Sequence, residues 1–149
     1  YLGMCRRWRD IPKPTIACVQ GACVAGGLML AWVCDLIVAS DDAFFQDPVN
    51  PLMGIPGVEY FAHAFELPPR VAKEFLLLGE RMPAQRAYDF GMVNKVVPCE
   101  DLRAAAAALD VPAVRIRFNH STLPATEQMG FFKNGNAGLT GAVSIDKLT

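Results

Sequence analysis

The residues from Lys13 to Gly27 constrain the fold most, because they predict a strand, a small-residue turn and the start of a helix. Their sequence is KPTIACVQGACVAGG, and an apolar segment, LMLAWVC, follows over 28–34. Glycines directly before a helix leave backbone N–H groups uncovered and let a ligand approach closely. The positive end of the helix dipole also attracts negative charge. No Lys-Ser or Lys-Thr pair follows as in a P-loop, so the turn favours a developing oxyanion over a phosphate.

The order of apolar segments and breakers predicts an α/β fold. Residues 15–19 and 36–39 are short apolar runs typical of buried strands, and residues 27–34 between them are typical of a buried helix. This strand–helix–strand order favours parallel strands joined by right-handed crossovers. The remaining predicted elements are a short strand over 43–45, a loop over 46–57, helices over 58–66, 69–78, 84–90 and 101–109, and a strand over 92–97.

Composition excludes several classes of protein. The 149 residues are 52% hydrophobic and 19% charged, which is typical of one globular domain rather than a disordered chain. A net charge of −1 argues against nucleic acid as a partner. Asp35 interrupts the apolar run over 26–39, so no membrane-spanning segment is expected. The five cysteines form no CxxC pair, which favours a reducing compartment: the cytoplasm, with the mitochondrial matrix as the alternative.

The two ends of the chain differ in character from its middle. The chain does not begin with Met, and its first ten residues resemble the end of an amphipathic helix, so we expect an incomplete amino end. Residues 1–110 carry the periodic segments and form the predicted core. Residues 111–149 show no sustained helical or strand period. We therefore expect a separate tail there that is loop-rich, poorly ordered or derived from another reading frame.

Several motifs in order resemble the enoyl-CoA hydratase/isomerase (crotonase) superfamily, over roughly residues 8–109. They are Lys13-Pro14, Gln20-Gly21, Ala25-Gly26-Gly27, Cys34-Asp35-Leu36, Met53-Gly54-Ile55-Pro56-Gly57, residues 72–79 and residues 84–97. The resemblance implies a spiral of ββα units, of which this chain lacks the amino-terminal part. It also implies assembly as homotrimers or hexamers, binding of acyl-CoA thioesters, and no cofactor beyond the CoA moiety of the substrate. Two backbone N–H groups of such enzymes stabilise an enolate-like anion.

One of these two donors corresponds to Gly26. A thioester carbonyl gains negative charge in the transition state, and an N–H group at a helix start is preorganised for that charge. The alternative is a glycine needed only for close packing of the helix on a strand. By the resemblance, the second donor and most contacts to the adenine nucleotide come from a segment before Tyr1.

The residues that differ from the family pattern concern proton transfer. By the resemblance, hydratases use two glutamates, and these positions are Met29 and Val49 here. Neither side chain can accept or donate a proton. Hydration by the paired-carboxylate route is therefore not expected, and the usual isomerase base at position 49 is also lost.

Three other residues are candidates for acid–base chemistry near the expected acyl pocket. Glu59 opens the predicted helix 58–66, where its carboxylate either faces substrate or only complements the helix dipole. His63 lies four residues later, on the same predicted helical face, so the two form a candidate acid–base pair or an ordinary surface pair. Asp47 precedes Pro48 and is either a site residue or only a turn residue.

Two classes of function remain open. The first is an acyl-CoA enzyme with non-standard acid–base residues. The second is a non-catalytic or truncated relative that keeps the fold without the activity. No metal-ligand spacing is present, so no metal site is expected.

Overall fold

The computed structural model describes residues 1–54 and 60–109, together with the backbone of 114–119 and 142–146. The helices are α1 (Leu2–Arg9), α2 (Gly26–Trp32), α3 (Val49–Met53), α4 (His63–Glu66), α5 (Pro69–Leu78), α6 (Ala84–Asp89) and α7 (Leu102–Ala107), the last preceded by a 3-10 turn over Cys99–Asp101. The strands are β1 (Thr15–Gln20), β2 (Ala22–Val24), β3 (Leu36–Ser40), β4 (Phe44–Gln46), β5 (Met82–Pro83), β6 (Lys95–Val97), β7 (Val114–Asn119) and β8 (Ala142–Asp146).

These strands form two sheets. The larger sheet has the order β6-β3-β1-β7-β8, and the smaller one has the order β2-β4-β5. Strands β1 and β3 are parallel, with Ile16 opposite Leu36 and Val19 opposite Ala39, and α2 lies between them in the chain. The parallel pair expected from the sequence is thus confirmed. The first two ββα units are β1-β2-α2 and β3-β4-α3. In each unit the first strand lies in the larger sheet and the second strand lies in the smaller sheet.

Both faces of β1 are buried. Ala17 and Val19 belong to the main core, which also contains the buried residues of α2. Ile16 and Cys18 point the other way, into a second cluster with residues of α7. A parallel strand covered on both sides is nearly all apolar, which explains why this strand was predictable from its composition.

The segment 46–57, expected to be a loop, contains α3. Pro48 is the residue before the helix, and Pro51 lies within its first turn, where a missing N–H group costs no helical hydrogen bond. Prolines that signal a loop in sequence are thus compatible with a short helix here. Residues 55–59 lie outside the described residues.

The helix expected over 58–66 is much shorter than predicted. Residues 60–62 are not helical, and α4 comprises only the four residues from His63 to Glu66. The strand expected over 92–97 is similarly reduced to Lys95–Val97. Strands β2 and β5 were not predicted, because two or three residues are too few to establish a period-two pattern.

Regular structure also occurs beyond residue 110. The backbone of β7 runs parallel to β1, and β8 pairs antiparallel with β7. These two strands were not predicted, because pairing with β1 depends on a distant segment and not on local periodicity. Residues 110–113, 120–141 and 147–149 lie outside the described residues. The division of the chain at residue 110 stays a prediction.

Two glycines with left-handed backbone give a matched test of packing between α5 and α3. Gly79 (φ +63°) follows α5, and Gly91 (φ +80°) follows α6. A Cβ at Gly79 would overlap the Pro51 ring and lie 3.3 Å from the Asp47 carbonyl oxygen, whereas a Cβ at Gly91 meets nothing within 4 Å.

We therefore expect Gly79→Ala to lower the free energy of unfolding by about 2–4 kcal/mol, because the strain of a left-handed backbone and the overlap of the Cβ with Pro51 add. Gly91→Ala should cost only about 1 kcal/mol, because it carries the backbone strain alone. Urea denaturation of both variants measures the difference. Equal losses would contradict the close contact between Gly79 and Pro51.

Candidate active site

The turn into α2 is held in an unusual conformation. Ala25 has φ +48° and ψ −111°, and it is the one non-glycine residue with positive φ among those described. Its N–H group donates to the carbonyl oxygen of Gln46 at 2.9 Å, which continues the β2–β4 pairing by one residue. A backbone held in a sparsely populated region requires support from its surroundings. The hydrogen bond to Gln46 is part of that support.

Gly26 is the first residue of α2, and its N–H group hydrogen-bonds to no acceptor in the part of the chain that the structure describes. Its carbonyl oxygen accepts a hydrogen bond from the Tyr1 hydroxyl. A Cβ on Gly26 would lie 3.1 Å from that hydroxyl oxygen. The first N–H groups of a helix have no partner within the helix, so this one can serve an external acceptor.

Met29 and Val49 lie where the resemblance expects glutamates. Met29 is buried within α2, and its Sδ accepts a hydrogen bond from the Tyr60 N–H group at 3.3 Å. Val49 begins α3, and its N–H group donates to Asp47 Oδ1 at 3.1 Å. Met29 therefore contacts Tyr60, which follows residues 55–59, and Val49 contacts Asp47. Neither supplies an ionisable group there.

Asp47 and His63 form a buried pair. Asp47 Oδ2 lies 2.9 Å from His63 Nε2, and both residues are 0% exposed. The His63 ring meets the Trp32 ring edge-on, with centroids 4.7 Å apart. Neither His63 Nδ1 nor Trp32 Nε1 has a hydrogen-bond partner within the described chain. A carboxylate that orients an imidazole in this way fixes which ring nitrogen faces it.

This arrangement gives His63 a partner that the sequence did not predict. The sequence placed His63 on a helical face with Glu59, but α4 begins only at His63, so that shared face does not exist over residues 60–62. Glu59 itself lies outside the described residues. Asp47 accepts from the Val49 N–H group, as expected of a turn residue, and also binds His63. Its role as a site residue stays a prediction.

Burial disfavours ionisation of the thiols near this turn. It raises the pKa of Cys23 well above its ordinary value, and the neighbouring Cys34 adds to the shift. Burial likewise raises the pKa of Cys34 to about 12, opposed in part by a hydrogen bond with Thr15. Neither cysteine is therefore a thiolate nucleophile near neutral pH.

The sequence did not single out three residues that the structure places around this region. Gln46 holds Ala25, and Trp32 packs against His63. Glu66 ends α4, and burial raises the pKa of its carboxyl group while the charge of Arg9 opposes the shift. No local sequence pattern marks these three residues, because the contacts of each depend on which distant segment packs against it.

The described ranges contain neither a cluster of metal ligands nor a membrane-spanning helix. Residues 1–54 and 60–109 hold no group of three or more His, Cys, Asp or Glu side chains suited to a metal ion. None of the helices described is both long and apolar enough to cross a bilayer.

The chain is similar to several known proteins. It is 42% identical over 154 aligned residues to EchA13 of Mycobacterium tuberculosis, whose name assigns it provisionally to the enoyl-CoA hydratases; the alignment covers 99% of this chain and 47% of EchA13. It is 38% identical over 103 residues to carnitinyl-CoA dehydratase of Proteus mirabilis, covering 67% of this chain and 39% of that protein. The crystal structure of a probable enoyl-CoA hydratase from Mycobacterium smegmatis superposes with a TM-score of 0.69 and 56% identity, covering 73% of this chain and 44% of that one.

The chain thus spans about half the length of EchA13 and less of the other two proteins. The superposition supports the fold class expected from the sequence, a crotonase-like α/β spiral whose amino-terminal part this chain does not contain. The sequence profile of the enoyl-CoA hydratase/isomerase family matches residues 2–114. The chain belongs to the enoyl-CoA hydratase/isomerase family.

Proposed function

We propose that the full-length protein is an acyl-CoA enzyme that stabilises a thioester enolate with the Gly26 N–H group. The observation that carries the proposal is this group's position at the start of α2, without an acceptor among the described residues. Negative charge develops on the thioester oxygen when the α-carbon loses a proton or the double bond is attacked. A fixed N–H donor stabilises that charge without reorganising.

The conformation of Ala25 supports this role. A positive φ at a non-glycine residue costs on the order of 1–3 kcal/mol, and such strain persists where the surroundings impose it, often at functional sites. Here the strained residue directly precedes the proposed donor. The Gln46 hydrogen bond holds the Val24–Ala25 peptide, and the Ala25 carbonyl oxygen accepts from the Met29 N–H group at 3.0 Å, which holds the Ala25–Gly26 peptide.

The proposed chemistry differs from two-glutamate hydration. With Met29 and Val49 at those positions, proton transfer requires another group, and Asp47, His63 and Glu59 are the proposed candidates. The substrate class is an acyl-CoA thioester, and the CoA moiety is the only cofactor proposed. The proposed location is the cytoplasm, and neither nucleic acid nor a membrane is a proposed partner.

A non-catalytic relative is the second candidate. It is favoured by the same replacement of both glutamates and by the complete burial of Asp47 and His63. Enolate formation distinguishes the two candidates. An enzyme should exchange the α-protons of a saturated thioester such as butyryl-CoA for deuterium in D2O, whereas a non-catalytic relative should not.

The proposed assembly is a homotrimer or hexamer. Large apolar side chains on α3, α4 and α5 support further contacts, since Leu52 is 80% exposed and Phe65 is 90% exposed. Exposed apolar surface of this kind is typical of interaction faces.

Removing the proposed oxyanion donor should slow enolate formation. Gly26→Pro deletes the N–H group at the first helical position, and distortion at Ala25 (φ +48°, ψ −111°), which lies outside the range that a residue before proline prefers, adds to the effect. We expect the deuterium exchange rate of butyryl-CoA to fall on the order of 10²–10³-fold, as for loss of one such donor. Proton NMR of the thioester in D2O measures the rate in the full-length protein.

Gly26→Ala is the matched control, because it keeps the N–H group and the atoms nearest to its Cβ belong to the Tyr1 side chain, with the hydroxyl oxygen at 3.1 Å. It should retain the rate within about tenfold. Circular dichroism checks that both variants fold, since the residue before a proline is itself restricted. Undiminished exchange in folded Gly26→Pro would remove the assignment.

The full-length protein should hydrate crotonyl-CoA slowly or not at all. Each acid–base group typically contributes ~10²–10⁴ in rate, and two are replaced by Met29 and Val49. Loss of absorbance at the enoyl thioester band measures the reaction, with an ordinary two-glutamate hydratase as the reference. Hydration at the reference rate would show that another group takes over the role of the glutamates.

A further inference from the structure

A short chain of contacts joins the buried Asp47–His63 pair to the proposed oxyanion donor. Asp47 directly follows Gln46, the last residue of β4. The Gln46 carbonyl oxygen accepts the hydrogen bond from Ala25, whose own carbonyl carbon is bonded to the Gly26 nitrogen. One hydrogen bond and two peptide bonds, through Gln46 and Ala25, therefore connect Asp47 to Gly26.

The Asp47 carboxylate is held on both of its oxygens. Oδ2 binds His63 Nε2 at 2.9 Å, and Oδ1 accepts from the Val49 N–H group at 3.1 Å. Rotating this carboxylate would break at least one of the two contacts within a fully buried environment. An unpaired buried charge is strongly unfavourable, so the carboxylate and the backbone next to it are held in place.

His63 also contacts the opposite end of α2. Its ring packs edge-on against Trp32, the last residue of the helix, at a centroid distance of 4.7 Å. The Asp47–His63 pair is therefore connected to both ends of α2. His63 contacts Trp32 at the end of the helix, and Gln46, next to Asp47, accepts the hydrogen bond from Ala25 before its first turn. Displacing His63 should shift the helix relative to Gln46.

We propose that His63 is a positioning residue, which orients the Gly26 N–H group through Asp47, Gln46 and Ala25. The proposal rests on the proposed function, in which Gly26 is the oxyanion donor. His63 needs no contact with substrate in this role, unlike in the proton-transfer role for which it is also a candidate, and its complete burial agrees with the positioning role. Displacement of reacting groups by about 1 Å can cost ~10²-fold in rate, so loss of these contacts should lower the rate of turnover.

The test uses two substitutions at His63 in the full-length protein. His63→Gln places an amide N–H group near the position of Nε2, so it can still donate to Asp47. His63→Leu has similar bulk but no donor. If His63→Leu does not fold, Asp47→Asn replaces it, because the amide keeps the shape and weakens the charged contact. Thr15→Val is the control for stability, since Thr15 is buried and exchanges hydrogen bonds of 2.7–3.0 Å with Asp35 at the start of β1.

The readout is the infrared carbonyl band of bound butyryl-CoA labelled with ¹³C at the thioester carbon. A saturated thioester cannot be hydrated, and hydrogen bonding from the oxyanion donor lowers the frequency of this band. We expect His63→Gln and Thr15→Val to keep most of the shift, and His63→Leu or Asp47→Asn to lose about half of it or more. The rate of α-proton exchange should fall ~10²-fold in the same two variants.

The outcomes separate the two proposals. No shift in the wild-type protein, or a full shift in folded Gly26→Pro, would overturn the role of Gly26 and the positioning role with it. A wild-type shift that His63→Leu or Asp47→Asn leaves unchanged would overturn the positioning role alone. An equal loss of the carbonyl band shift in Thr15→Val would also overturn the positioning role, because the loss would then result from lower stability and not from the contacts of His63.

Discussion

The hydrogen bond from the Ala25 N–H group to the Gln46 carbonyl oxygen connects two successive ββα units where the candidate site begins. It extends the parallel β2–β4 pairing by one residue, and the strained Ala25 conformation occurs at that point. The neighbouring strand β4 consequently helps to hold Ala25, the residue before α2, in its strained conformation. An N–H group positioned in this way keeps its orientation when charge develops on a ligand.

The buried Asp47–His63 pair lies next to this connection. A paired charge in the core is costly to form and more costly to break, so it favours one arrangement of the elements around it. In this chain those elements are the end of β4, the start of α3, the start of α4 and the end of α2. The same residues flank the two positions at which family hydratases are expected to carry glutamates. This region therefore holds a buried polar pair, although Met29 and Val49 carry no ionisable group.

Sequence reasoning succeeded where a local signal was strong. The apolar runs of β1 and β3, the apolar helix between them and the proline-to-glycine boundaries of α5 were all predicted close to their observed positions. It failed where the signal was short or misleading, as at α3, whose prolines suggested a loop, and at β2 and β5. It also failed at β7, because that strand depends on β1, which lies about a hundred residues earlier in the chain.

The amino-acid sequence by itself determined the family, the parallel α/β core and the glycine turn at Gly26, since each depends on residue types at fixed local spacing. It also determined that positions 29 and 49 carry no acid or base. Only the tertiary structure decided that His63 pairs with Asp47 and that Gln46 holds Ala25. Hydrogen bonds between segments 16 or 21 residues apart depend on how the elements pack, and no local pattern of residues encodes that packing.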